Sequence, residues 1–571
     1  MDRMRRAARA MWRCGRHEWT LAVLAALATA AALTWPTLRD PAGTIPQDTG
    51  DPTLQAWQLA WGGHALATDP AHLWHSNTFF PEPYTYAYSD TLLGFAPFGL
   101  VGDGPVAAVV RYNLLYVLVH ALALVGAYAL SRQLGAGRAG AAVAGASFAY
   151  APWKLAQAGH LHVLCVGGIA LSLAMLARGH GWSLRHGHRA DRVRPGWAAA
   201  GWAVAAWQVT LGFGIGLPFA YAMGVLCLVV AGGYALTWWR RRLRPALPRG
   251  LLLADVAGVV GFAGVTLLMA APYLEVVARH PEGRRTAAQI AMFSPPWSGF
   301  LTAPPQSWLW GERHEAARTV LGFPGEMTLL PGITLVGLAL TGLFFSVWRV
   351  RHRLALAAGV LLSVALAAGS TFGGDGDPGY LTLVRHVPGW DGVRTPGRLV
   401  LWTTLLLGVL AAGGLTVRED STAAGRTRRV ARWALVLPVA LVLLEGVNRT
   451  PHVPVPAEPV ALHGIAGPAL VLPSEGIREY HVMLWSTDGF PRVVNGLASF
   501  TPASQEAIRA ASVSFPDVGS VAYLRAVGVR TVVLLPRYAT GTPWQDAAGR
   551  PVDGLGVRRE VVADGIVFHL D

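Results

Sequence analysis

Two carboxylates, Asp48 and Asp51, stand in the stretch Thr44-Ile-Pro-Gln-Asp-Thr-Gly-Asp-Pro-Thr-Leu-Gln-Ala-Trp57, directly after the first long apolar run of the chain. A carboxylate can take a proton from a nucleophile or ligate a metal ion, so this stretch is where chemistry is first sought. Asp followed by Pro is also the ordinary opening of a helix, with Asp as N-cap and Pro at the first helical position. Both readings of Asp51 stand at the level of sequence. Leu54, Trp57, Trp61 and Ala65 then recur at helical spacing. That pattern predicts an amphipathic helix lying in a membrane interface with its aromatic face toward lipid.

Other groups could join such a site. Arg394 and Arg398 lie just before an apolar run, and guanidinium forks bind phosphate bidentately; snorkelling to lipid headgroups is the competing reading. His160 and His162 could donate to a phosphate or ligate a metal, against plain interfacial histidines. Glu82 and Asp90 are available to hydroxyls or a divalent ion, and Glu275 follows an apolar run; all three read equally as solvated loop acids. Trp297, Trp308 and Trp310 fit either a stacking platform or an interfacial belt.

The elements that must position these residues are set by composition. Of 571 residues 53% are hydrophobic and 14% charged, far below the roughly one quarter charged of a soluble domain. The net charge of +14 comes from arginines in short clusters between apolar runs, with no continuous basic stripe, so nucleic acid is set aside as a partner. Lys154 is the only lysine, an arginine bias of the kind GC-rich bacterial genomes show. Cys14, Cys165 and Cys227 are scattered and support neither a disulfide framework nor a thiolate metal site.

Segments long and apolar enough to cross a bilayer number about eleven: 19-38, 106-130, 139-153, 161-177, 196-212, 214-238, 250-273, 327-348, 354-370, 399-416 and 430-447. Arg5, Arg6, Arg9, Arg13 and Arg16 precede the first, which is read as an uncleaved anchor because Trp35-Pro36 and Arg39 stand where small cleavage-site residues belong. With residues 1-18 in the cytoplasm, the clusters at Arg132 and Arg138, 178-194, 240-249, 349-353 and 418-432 all fall on the cytoplasmic side. The transmembrane module is 19-447. The long segments 39-105, 274-326 and 371-398 and the tail 448-571 are then external.

The tail has a different texture. It shows a strand-like Ala469-Leu470-Val471-Leu472, a polar helical stretch 503-512, a β-branched run 529-535, and a closing pair 557-562 and 566-570 around Ala563-Asp564-Gly565. This predicts a small soluble α/β domain. It lacks a Gly-rich phosphate loop and a Gly-x-Ser-x-Gly elbow, so a binding or packing module is expected.

In plan the chain resembles the GT-C superfamily of membrane glycosyltransferases. The motifs that carry the resemblance are Gly50-Asp51-Pro52 with Trp57, Asn77-Thr-Phe-Phe-Pro81 through Tyr88-Ser-Asp90, Gly159-His160-Leu-His162, Val393-Arg394-Thr-Pro-Gly-Arg398, and Val494-Asn495-Gly496 with Ser499-Phe500-Thr-Pro502. They look like those of a widespread group of poorly characterised bacterial proteins of this type. The resemblance implies a polytopic α-helical fold and a polyprenyl-phosphate-linked sugar donor. It also implies a glycan, lipid or protein acceptor, and action at the external face of the cytoplasmic membrane. Asp51, or Asp48, then becomes the general base of an inverting transfer; Arg394, Arg398, His160 and His162 become phosphate ligands, and Glu82 and Asp90 substrate ligands. A divalent cation, Mg or Mn, would have Asp48, Asp51 and His162 as candidate ligands. Many members carry adjacent or alternate acids in this loop, whereas here the spacing is Asp-x-x-Asp. A transporter or flippase for a lipid-linked substrate is the rival, disfavoured by spans that hold few ionisable residues beyond Asp255, His120 and Arg111. A non-catalytic envelope assembly protein is the third option.

Overall fold

The computed structural model describes residues 17–241, 248–423 and 428–570. The basic residues Arg5, Arg6, Arg9, Arg13, Arg16, Arg242, Arg244 and Arg426 lie outside the described residues, as do the side chains of Arg241, Arg428, Arg429 and Arg432. The chain divides into two compact units.

The first unit comprises residues 1–35, 116–267 and 285–450 and holds most of the apolar helices. Six described helices are long and apolar enough to cross a membrane: Gly104–Leu134, Leu161–Gly179, Phe213–Arg240, Arg249–Arg279, Val350–Ala367 and Pro396–Ser421. The protein is a multi-pass membrane protein. Each of the other apolar runs read from the sequence also contains a helix, but a shorter one. The run 327-348 shows why. Only Ile333–Phe344 is helical there, because Pro331 removes an N–H and Gly332 takes a left-handed φ of +115°, which together start the helix late.

Apolar helices in this unit bury very different shares of their surface. In Arg249–Arg279 only 11% of the apolar window is buried, with Leu253, Val260, Leu267 and Leu268 exposed, whereas in Pro396–Ser421 the share is 83%. Side chains that would be costly in water fit a hydrocarbon surface, so the first is a lipid-facing helix and the second the core of the unit. Around that core Val143, Ala146, Leu335, Ala339, Leu410, Ala411, Leu415 and Val442 pack together. Small residues permit the close approach: a methyl group at Gly342 would collide with the Leu410 carbonyl oxygen.

The second unit comprises residues 36–115, 268–284 and 451–571, so the long loop after the first apolar run folds with the tail. Its elements are β1 (Thr44–Pro46), α1 (Asp51–Thr68), β2 (His452–Pro454), β3 (Ala469–Leu472), α2 (Arg478–Trp485), α3 (Ala503–Ser512), α4 (Val518–Val527), β4 (Thr531–Leu534), β5 (Val557–Val562) and β6 (Gly565–Leu570). The antiparallel pair β1 and β2 joins loop to tail, with Ile45 opposite Val453. A four-stranded sheet runs in the order β3-β4-β6-β5, parallel between β3 and β4 and antiparallel elsewhere.

Both faces of that sheet are covered, which is why β3 and β4 read as unbroken apolar runs. Leu470, Leu472, Val532, Leu534 and Phe568 meet Ile508, Phe515 and Leu524 on one face. Val471, Val533 and Val567 meet Val482 and Trp485 of α2 on the other. The tail is thus the small α/β fold expected of it.

Asn495 extends the sheet without being a strand residue. Its side-chain oxygen accepts from the Val471 N–H at 2.7 Å and its amide donates to the Val471 carbonyl at 2.9 Å, while its own carbonyl accepts from Phe79 N–H. Phe80 N–H likewise donates to the Val493 carbonyl. Asn77-Thr-Phe-Phe-Pro81 of the loop and Val494-Asn495-Gly496 of the tail are therefore two halves of one seam. Gly496 has to be glycine there, since a Cβ would lie 2.5 Å from the Phe79 ring.

Candidate functional site

Asp51 is the first residue of α1, and the N-cap is Gly50. The expected capping role of Asp51 is thereby corrected. Asp48 instead does the local backbone work, its Oδ1 accepting from the Gly50 N–H at 2.8 Å. Asp48 is exposed and Asp51 half-buried. In the first turn of an 18-residue helix the Asp51 carboxylate faces the positive end of the helix dipole, which stabilises an anion there.

The aromatic face of the helix it opens is covered by protein. Leu54, Trp57, Trp61 and Ala65 are all under 9% exposed and pack with Phe79, Tyr86, Tyr88 and Met483 in the core of the second unit. The expectation of a lipid-facing aromatic stripe is overturned, for a physical reason: the indole N–H groups of Trp57 and Trp61 donate inward to Asn77 Oδ1 (3.1 Å) and to the Leu73 carbonyl (2.8 Å). Such tethers fix the loop as a folded cap and place Asp51 by rigid packing.

Helix α2 of the tail closes on the acidic turn with two side chains. Tyr480 donates its hydroxyl to Asp51 Oδ1 at 3.3 Å. His481 Nε2 lies 2.8 Å from Thr49 Oγ1, and Arg478 Nη1 lies 3.2 Å from His481 Nδ1. Arginine can only donate, so Nδ1 is the acceptor and Nε2 carries the proton that goes to Thr49. Burial, reinforced by the charge of Arg478, pushes the His481 pKa down to about 4 and keeps the ring neutral.

Glu479, between them in α2, points the other way. It is fully buried and accepts from Ser474 Oγ and Gly496 N–H, both at 2.6 Å, with Arg509 at 3.5 Å. One helix therefore anchors itself to the tail through Glu479 and presents Tyr480 and His481 to the loop. The sequence reading missed these residues. The run Arg478-Glu479-Tyr480-His481, four polar groups opening a helix with a buried apolar remainder, was the available signal.

Glu82 and Asp90 also lie in this unit. Glu82 Oε1 accepts from Ser504 Oγ at 2.5 Å and its other oxygen is 3.5 Å from His280 Nε2, so it joins loop to tail. Asp90 is half-buried, and its backbone carbonyl accepts from Gln58.

The candidate phosphate ligands belong to the first unit. Arg398 makes a forked pair with Glu326, Nη2 to Oε1 at 2.6 Å and Nε to Oε2 at 3.1 Å, and donates from Nη1 to His162 Nε2 at 3.2 Å. Glu326 is 5% exposed. Burial acts to raise its carboxyl pKa, but the charge and hydrogen bonds of Arg398 outweigh burial and hold it below the ordinary carboxylate range. Gln157 donates to the Gly325 carbonyl at 3.0 Å and accepts from His160 Nδ1 at 2.9 Å. Thus Arg398, His160 and His162 do come together, with Glu326 and Gln157 as members the sequence did not disclose. Arg394 is half-buried, its guanidinium over the Phe293 ring at 5.1 Å.

Among the described residues neither Asp48, Asp51 nor His162 forms part of a group of three metal-type side chains.

The fold combines apolar helices with a folded loop and a small α/β tail, and it has counterparts among known structures. Among solved structures, the chain is similar to arabinofuranosyltransferase AftD from mycobacteria, with 18% identity and a TM-score of 0.52 over 97% of this chain and 40% of that one. A second AftD structure, of a mutant form, gives 17% identity and a TM-score of 0.50, over 97% of this chain and 41% of that one. The oligosaccharyltransferase of Archaeoglobus fulgidus, solved with Zn and sulfate, superposes more loosely, with 14% identity and a TM-score of 0.45 over 92% of this chain and 68% of that one. The chain spans about two fifths of the AftD chain, and at these identities the likeness is one of fold. No family model matches the sequence, and no curated protein matches it.

Proposed function

We propose that this protein is a glycosyltransferase that moves a sugar from a polyprenyl-phosphate carrier to an acceptor hydroxyl at the external face of a bacterial cytoplasmic membrane, with Asp51 as general base. Residues 1-18 are then cytoplasmic and the tail external. The reading is carried by one observation, the half-buried Asp51 carboxylate held at a helix start and approached by the Tyr480 phenol, in a chain with the GT-C fold.

In the proposed step the acceptor hydroxyl attacks the anomeric carbon as its proton passes to Asp51, and the bond from that carbon to the phosphate oxygen breaks with inversion. The electron pair leaves on the phosphate, so charge is conserved and no co-reactant is needed. Tyr480, a neutral hydrogen-bond donor, would orient the carboxylate toward the acceptor. On sequence grounds Arg394 is proposed for the phosphate, since the Arg398 fork is bound to Glu326. Acceptors remain a glycan, a lipid or a protein.

Asp51→Asn tests the assignment. Asparagine keeps a polar group at the start of α1 and cannot take a proton, so the variant should fold, insert and fail to restore the envelope lipid and glycan profile of a deletion strain. Full restoration by that variant removes Asp51 from the mechanism.

A further inference from the structure

Away from the acidic turn, the described residues of the second unit include a further set of groups suited to chemistry. Glu458, in the loop after β2, His463, one residue beyond the short 3-10 turn Val460–Leu462, and Asp488, just past the end of α2, bring one ligand atom each to within 4.8 Å of one another. None of the three side chains has a hydrogen-bond or ion-pair partner elsewhere among the described residues, in a chain where most other carboxylates are paired or capping. A half-buried and an exposed carboxylate thus converge with an exposed imidazole. Burial and the charge of Asp488 push the Glu458 carboxyl up to about 7.

The residues beside these three are fixed. Trp485 Nε1 donates to the Pro456 carbonyl at 3.0 Å. The N–H groups of Val460 and Ala461 both donate to the Asp564 carboxylate, at 2.8 and 3.0 Å. Ala461, Leu462 and Trp485 are buried in one core cluster. Two separate backbone segments are therefore held rigidly while their unpartnered donor groups converge, which is how a preorganised ligand set is built.

We propose that Glu458, His463 and Asp488 form a divalent transition-metal site, of the zinc type, that clips the loop after β2 to the end of α2. One imidazole nitrogen with two carboxylate oxygens suits a borderline ion bound at about 2.0 to 2.2 Å, and an all-oxygen ion such as Mg2+ or Ca2+ gains little from the imidazole. Three protein ligands leave a position for water. The clip acts on the helix whose first turns carry Tyr480 and His481 to the Asp51 turn, so metal binding would stiffen that support. The site itself stands whether or not the protein transfers sugars, because its readout is binding.

The test uses the full-length protein, purified in detergent and stripped with a chelator, then titrated with Zn2+ against a chromophoric competitor. Expected are one equivalent bound per chain with a dissociation constant in the micromolar range or tighter, a rise in melting temperature, and no displacement by millimolar Mg2+. His463→Ala and the double variant Glu458→Gln with Asp488→Asn should each weaken that equivalent tenfold or more while melting as the metal-free parent does. Should a variant fail to fold, His463→Gln serves in its place. No stoichiometric binding to the parent protein, or binding of equal affinity in the variants, overturns the assignment.

Discussion

Glu326 and Asp51 are carboxylates near helix starts in the two units, and their surroundings treat them in opposite ways. Both oxygens of Glu326 are held by the fork of Arg398, in a setting 5% exposed. Asp51 is half-buried and is approached by the neutral hydroxyl of Tyr480 at 3.3 Å. A carboxylate neutralised by a guanidinium is a poor base and a good brace, whereas one oriented by a phenol keeps its charge and its affinity for a proton. Under the proposed function the first is a brace and the second is the base.

The sharpest way to break it is Glu326→Gln. Removing one charge of a buried pair leaves Arg398 uncompensated, and the expected loss is about 3 to 5 kcal/mol, seen as a fall in thermal midpoint in detergent. Pairing it with Arg398→Met should recover most of that loss, because the unmatched charge goes with it. Asp51→Asn, by contrast, should leave the midpoint within about 0.5 kcal/mol equivalent. Equal effects at the two sites would erase the distinction between brace and base.

The contrast was only partly legible beforehand. The tail strands Ala469–Leu472 and Thr531–Leu534 were readable because burial on both faces makes an unbroken apolar run of strand length. The aromatic stripe of α1 was readable as a buried face but not as to what buries it. Periodicity reports that Trp57 and Trp61 avoid water and is silent on whether lipid or protein replaces it. Glu326 carried no local signal, since its partner Arg398 is 72 residues away. Tyr480 and His481 reach a turn more than 400 residues earlier in the chain, a pairing that local pattern does not encode. The motifs Asn77-Thr-Phe-Phe-Pro81 and Val494-Asn495-Gly496 were visible as separate strings, and only the fold shows that they meet.

A milder probe addresses the second unit alone, through His481. Its folded pKa of about 4 lies below the ordinary 6.5, so the unfolded chain takes up a proton that the folded one refuses between those values. The stability this group supports is complete above pH 6.5 and is lost as the pH falls toward 4. The expected loss is about 2 kcal/mol, allowing for water at the ring edge. Melting curves at pH 7 and pH 4.5 should show a steeper fall for the parent protein than for His481→Gln, which cannot be protonated. Parallel falls would mean that the imidazole is charged or solvated in the folded protein, and the Arg478-His481-Thr49 chain would then not brace the acidic turn.

The smallest expected effect belongs to Tyr480→Phe, and it separates orientation from basicity at Asp51. The substitution keeps the ring, whose edge a Cβ built on Gly50 would meet at 3.7 Å, and deletes only the hydroxyl. A single hydrogen bond of 3.3 Å to a half-buried carboxylate contributes about 1 kcal/mol, so sugar transfer should slow by roughly five- to tenfold while the protein melts as before. Because the phenol acts on the carboxylate and not on the substrate, the loss should fall on kcat rather than KM. The pH at which activity rises should also move upward, since a carboxylate that loses a donor to its charged form binds protons more tightly. An unchanged pH profile with slower turnover would make Tyr480 a packing residue. Loss of activity as complete as in Asp51→Asn would instead move the phenol itself into the proton path.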